Sequence, residues 1–185
     1  GDEMFTNLET YQSRFWLKEE FLKKIGKSSS GFLLELFSRV DALVDQDLVY
    51  YDHQMDMETC FEKYSFHEFK WHQTPNGDME WIFMLNRQGY LVDLAVAFYI
   101  TKEEKYLKKW KEIVFDFILE NEKEISHPEA SWRVLDAGIR LMNWVKSLTY
   151  FPLSEFSEEE KKQIQEAMSL HANYICTHLQ EKHLL

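Results

Sequence analysis

Between Ser131 and Tyr150 four polar residues interrupt an otherwise apolar stretch: Arg133, Asp136, Arg140 and Asn143, at i, i+3, i+7 and i+10. That spacing gathers them on one stripe of a helix. The other positions (Trp132, Val134, Leu135, Ile139, Leu141, Met142, Trp144, Val145, Leu148) call for burial. Unpaired charge in such surroundings is prohibitive, so the stripe faces either a cavity or its own ion-pair partners. For Asp136 both readings stand: a group lining a cavity, or a carboxylate that pairs with Arg133 or Arg140 and locks helices together. Arg140 carries a planar guanidinium able to clamp a carboxylate or sulfate through two parallel hydrogen bonds.

Asn86-Arg87 sits similarly on the apolar stretch Trp81–Ile100, as core-satisfying or as groove-lining residues. Trp81 and Trp132 open these two stretches, where an indole serves either as a sugar-stacking platform or as plain core. His171 and His178 are seven apart, too distant for one metal, and His53, His67 and His72 fall in an irregular segment. Cys60 and Cys176 form neither a disulfide framework nor a zinc site. No metal or cofactor is expected. No nucleophile elbow, phosphate loop or paired catalytic carboxylate motif occurs, and the residues alone assemble no catalytic centre.

The elements that would position these groups are helical. Only 6 Gly and 3 Pro interrupt 185 residues, too few for a turn-rich β architecture, and 16% aromatics demand a sizeable core. Thr6-Asn7-Leu8-Glu9 has the form of a capping box and opens a helix ending near Ile25; a second helix runs over Phe32–Val44. Residues 45–80 lack a helical period and contain Pro75-Asn76-Gly77-Asp78, a strong turn signal. They read as a long irregular segment, with a short strand around Tyr64–Trp71, packed on the helices by its many aromatics. Trp81–Ile100 is apolar nearly all round and predicts a single buried helix. Thr101–Glu104 is a second capping box, and the helix after it carries Tyr106, Leu107, Trp110, Ile113, Val114, Phe117 and Ile118 on one stripe. The alternation repeats: Ser131–Tyr150 is buried, and Ser157–Glu160 caps an amphipathic helix with Ile164, Ala167, Met168, His171, Ile175, Cys176 and Leu179 inward. Stacked hairpins suggest an all-α toroid or solenoid, one helical domain over 1–185, and the lack of a fixed 34-residue consensus favours the toroid.

Charge narrows the partners. A net −11 argues against nucleic acid, because phosphate binding needs clustered Lys and Arg. The most basic run, Lys105–Lys111, alternates with apolar residues and reads as a solvated helix face. No uncharged apolar run approaches the length that spans a membrane. An acidic polysaccharide would need a local basic or aromatic groove.

Several runs carry a family resemblance: Trp81-x4-Asn86-Arg87-x2-Tyr90-Leu91-x2-Leu94-Ala95-x2-Phe98; Glu104-Lys105-Tyr106; and Ser131-Trp132-Arg133-x-Leu135-Asp136-Ala137-Gly138-Ile139-Arg140-Leu141-x-Asn143-Trp144. From about Trp71 onward the chain resembles the N-terminal helical domain of the heparinase II/III polysaccharide lyases. The resemblance implies an incomplete (α/α) toroid followed by an antiparallel β-sandwich domain, in a periplasmic or secreted protein; without it a cytoplasmic protein is expected. It implies cleavage of uronic-acid-containing glycosaminoglycans of the heparin or heparan-sulfate type by β-elimination. The family's neutralising Asn or His, its Tyr and its later His have no counterpart here, so the chain is expected to be inactive alone and to supply groove walls. Arg87, Trp132, Arg140 and Asn143 carry over as substrate-binding candidates. A different class also stands: a helical protein-interaction module with no catalytic role.

Overall fold

A computed structural model of the chain describes residues 30–49 and 63–182. The helix expected over Thr6–Ile25, and Cys60, lie outside them. Helix α1 (Ser30–Gln46) buries Leu36, Val40 and Leu43, a single i, i+4, i+7 stripe. It stops at Asp47, whose φ of 54° turns the chain into β1 (Leu48–Val49). This strand pairs antiparallel with β2 (Tyr64–Ser65), placing Leu48 opposite Ser65 and Val49 opposite Tyr64. The strand expected over Tyr64–Trp71 is therefore two residues long. The rest of that run is turns that deliver Phe69 and Trp71 into the core.

The junction is tied by charge. The buried Lys109 ammonium donates to the Asp47 carboxylate, and His67 Nε2 lies 3.1 Å from the same group. The hydrogen bond from Lys109, its charge and those of His67 hold the Asp47 carboxyl below its usual range despite partial burial. The basic run expected to be a solvated face thus contains one buried member. Its aliphatic stem crosses apolar surface to reach Asp47.

Trp81–Ile100 is two helices, not one: α2 (Met79–Arg87) and α3 (Tyr90–Thr101). Between them Gln88 adopts the left-handed conformation, φ 56°, and its N–H closes the last turn on Leu85 O at 3.3 Å. The apolar pattern runs straight through this break, so periodicity alone did not reveal it. Asp78 caps α2 by accepting from Glu80 N at 3.0 Å.

Helix α4 (Glu104–Glu120) buries the expected stripe from Tyr106 to Phe117. Its expected capping box at Thr101 does not form. Lys102 is left-handed and ends α3, so Thr101 is the last helical residue and donates back to Ala97 O at 2.8 Å. The next buried stretch, expected over Ser131–Tyr150, is helix α6 (Val134–Leu148), preceded by the short helix α5 (Pro128–Ser131). A short 3-10 turn at Leu153–Glu155 leads to α7 (Glu158–Glu181). Here the capping box forms on both sides, Glu160 N to Ser157 Oγ at 3.1 Å and Ser157 N to Glu160 Oε1 at 2.9 Å. Ile164, Met168 and His171 are buried along α7, whereas Cys176, one position off that stripe, is exposed and free.

Helices α1, α3 and α6 stand side by side; α4 backs α3, and α7 backs α6. Among the described residues the fold is all-α apart from the two-residue ladder and an isolated bridge between Lys70 and Gln73. Trp110, fully buried on α4, packs edge-on to Phe151 and Phe156 and donates to Ser147 Oγ at 2.9 Å, so the back layer is stapled to the front one. Among the described residues no helix is long and apolar enough to cross a membrane.

Candidate functional site

The break after α2 creates the site. A helix leaves its last carbonyls without intrahelical partners, and buried carbonyls must be satisfied. Leu85 O accepts from Tyr90 Oη at 3.0 Å, Asn86 O from Arg140 Nη1 at 2.8 Å and Arg87 O from Asn143 Nδ2 at 2.8 Å. The Gln88 side chain then accepts from Trp144 Nε1 at 2.7 Å. Arg140, Asn143 and Trp144 of α6 thus grip residues 86, 87 and 88 in order. The polar stripe of α6 is, in part, the cap of α2.

One turn earlier on α6, Asp136 is fully buried between two guanidiniums. Arg87 Nε donates to Oδ1 at 2.7 Å; Arg133 donates to Oδ2 from Nε at 2.7 Å and to Oδ1 from Nη2 at 3.3 Å. Asp136 therefore pairs with Arg133 and Arg87, and Arg140 is not among its hydrogen-bond partners. The Arg87 side chain is 19% exposed and that of Arg133 36%. Arg133 lies flat on the Phe83 ring, 3.4 Å from its centroid. Its hydrogen bonds to Asp136 raise its pKa further against the opposing effect of burial. Two guanidiniums share one buried carboxylate here, and the Glu80 charge also acts on Arg133, at a partly open edge.

Behind this edge Arg140 is enclosed completely. Nε donates to His171 Nε2 at 2.7 Å, Nη1 also reaches Ser131 O at 2.9 Å, and the guanidinium stacks on Phe117 and Trp132. His171 Nδ1 lies 2.7 Å from Ala167 O, so the ring donates there and accepts from Arg140, which fixes the neutral tautomer with hydrogen on Nδ1. Burial, then the Arg140 charge, push the His171 pKa down to about 3. Burial lowers Arg140 to about 9, so it remains a cation at neutral pH. Trp132, also buried, donates to Asn121 Oδ1 at 2.8 Å and stacks 4.4 Å from His171.

Of the four substrate-binding candidates, Arg87 and Asn143 are half-buried, while Trp132 and Arg140 are enclosed and bonded within the chain. Trp81 is likewise fully buried, and Asn86 satisfies the core by donating to Trp71 O and Ile82 O. His171, Asn121 and Gln88 belong to the same network and carried no functional signal beyond the inward position of His171. A cleft of about 490 Å³ between α4 and α7 passes Ile118, Leu119 and Leu170 and ends at Trp132 and His171. Among the described residues no group of three or more His, Cys, Asp or Glu could hold a metal ion.

No curated protein and no solved structure matches the chain. The family described as Heparinase II/III N-terminus matches residues 28–185, which extends the resemblance back from about Trp71 through α1. This chain belongs to the heparinase II/III N-terminal family.

Proposed function

We propose that the chain forms part of the substrate-groove wall of a polysaccharide lyase, within an (α/α) toroid that precedes a β-sandwich domain in a periplasmic or secreted protein. The substrate class is a uronic-acid-containing glycosaminoglycan of the heparin or heparan-sulfate type, cleaved by β-elimination. The observation that carries this reading is the Arg87–Asp136–Arg133 cluster: two partly exposed guanidiniums on one buried carboxylate. Their exposed N–H donors suit a carboxylate or sulfate, which a guanidinium binds in two-pronged fashion. Asn143 lines the wall beside Arg87. Trp132 and Arg140 act from behind it, as positioning residues that fix the carbonyls of α2.

Retention on immobilised heparan-type oligosaccharide at low salt tests this. The chain is expected to be retained, and Arg87→Ala to weaken binding about 10-fold, the equivalent of ~1.4 kcal/mol. Equal elution of wild type and variant would refute the role of the cluster. A second reading rests on α6, where Leu135 and Met142 are exposed on one outward stripe. That face suits a protein partner, and it predicts an oligomer or complex that Met142→Glu disrupts without changing oligosaccharide retention.

A further inference from the structure

Away from the cluster, two histidines meet face to face. His72 follows the buried Trp71, and His127 sits in the turn between α4 and α5 with a left-handed φ of 53°. Their ring centroids are 3.6 Å apart and the planes 12° from parallel. Each ring has its own carboxylate on a different element: His72 Nδ1 is 3.5 Å from Glu120 on α4, and His127 Nδ1 is 3.5 Å from Glu129 on α5. Lys70, on the same segment, and Glu129 across the stack are the further charges acting on His72.

Two imidazoles can stack when both are neutral, or when one is neutral and the other charged. Two imidazoliums at this separation repel. Each then gains by turning toward its own Glu, and Glu120 and Glu129 pull from separate elements. We propose that the His72–His127 stack is an acid-opened clasp, closed while at least one ring is neutral, whose release frees the segment around Trp71 from the α4–α5 turn. That segment borders a cavity of about 310 Å³ lined by Phe66, Phe69, Lys70, Trp71, Asp116 and Glu120. It is also held by Trp71 Nε1 on Asp116 of α4 at 2.8 Å and by Asn86 of α2 on Trp71 O at 2.8 Å. Opening the clasp therefore bears on the end of α2, where Arg87 is placed.

The sign follows from the surroundings of His72. Burial first, then the His127 charge, depress its pKa below 6.5, outweighing the favourable Glu120. The closed stack is therefore fully favoured above about pH 6.5 and is lost as pH falls through the depressed value.

Hydrogen exchange of the full chain at pH 7.5 and 5.5, corrected for intrinsic rates, tests the clasp. In the wild type, protection of residues 66–73 and 121–128 should fall by about 10-fold per pH unit once proton uptake begins. In His72→Phe/His127→Phe, which keeps two stackable rings but cannot protonate, these segments should stay protected at both values. Unchanged protection in the wild type would overturn the proposal. So would equal loss in the double variant, or loss spread over α6 and α7, which would place the proton uptake at His171.

Discussion

Replacing Asp136 by Asn keeps the side-chain shape and removes the charge from the most enclosed carboxylate of the site. Three donated hydrogen bonds, at 2.7, 2.7 and 3.3 Å, lose their ionised acceptor, and the new amide N–H₂ points a donor at a guanidinium donor. Removing one partner of a buried pair costs about 3–5 kcal/mol when the other charge stays buried. Here the charges left behind are partly wet, at 19% and 36% exposure, and Arg133 still rests on Phe83. That solvation recovers part of the loss, so about 2–4 kcal/mol is expected. For a chain of this length the melting temperature should drop by about 4–16 °C. Urea unfolding followed by helical circular dichroism gives the free energy. A double-mutant cycle with Arg87→Gln should show coupling of about 1 kcal/mol or more, because the two groups are in direct contact. A change below about 0.5 kcal/mol in Asp136→Asn, the range of ordinary surface substitutions, would refute the reasoning that this carboxylate anchors α2 to α6.

Trp110→Ala should destabilise by about 3–5 kcal/mol through the void it leaves between Phe151 and Phe156, while Lys108→Ala on the exposed face stays within about 0.5 kcal/mol; equal urea midpoints would overturn the packing assignment. His171 is held neutral with its pKa pushed to about 3, so its contribution is complete above about pH 6.5 and declines by about 1.4 kcal/mol per pH unit below that. Denaturation at pH 7 and pH 5 should differ by about 2 kcal/mol from this group, and His171→Gln should flatten the dependence. The isolated chain should release no unsaturated uronate product from heparan sulfate, chondroitin or alginate, since the neutralising group, base and acid each contribute about 10²–10⁴-fold. Absorbance of that product, abolished by Arg140→Ala or Asn143→Ala, would show a working centre within these residues.

What the sequence made legible was whatever depends on one-sided burial. The stripe of α4, the inward face of α7 and the Ser157 box all follow from residue type and spacing. The breaks were not legible. At Gln88 the chain turns where Arg140 and Asn143, more than fifty residues on, donate to the freed carbonyls of Asn86 and Arg87, and at Trp132 it turns where Arg140 also donates to Ser131 O; at Lys102 the turn is local, its N–H closing on Phe98 O. Thr101 and Ser157 head identical motif forms, yet only Ser157 precedes its helix; Thr101 is consumed by the helix behind it. The stripe of Arg133, Asp136, Arg140 and Asn143 was visible as a stripe, but its division of labour was not. Spacing cannot tell that Arg140 reaches a carbonyl and a neutral imidazole while Asp136 takes Arg87 from another helix.

The grip of α6 on α2 also sets which side of the contact is free to change. Arg140 and Asn143 hold carbonyl oxygens, and every residue except for its side chain presents the same oxygen. The requirement therefore falls on positions 140 and 143, whose particular donors and reach are needed. Position 87 supplies only its backbone to this contact. Its side chain is consequently available for selection toward a ligand, with the Asp136 pair and the weaker contact to the Met84 sulfur as ties it must keep or replace. In a library of substitutions, tolerance should be lopsided: position 87 accepting residues that can still donate to Asp136, position 140 accepting fewer, and the two positions separable by comparing survival of the fold with retention of an acidic polymer.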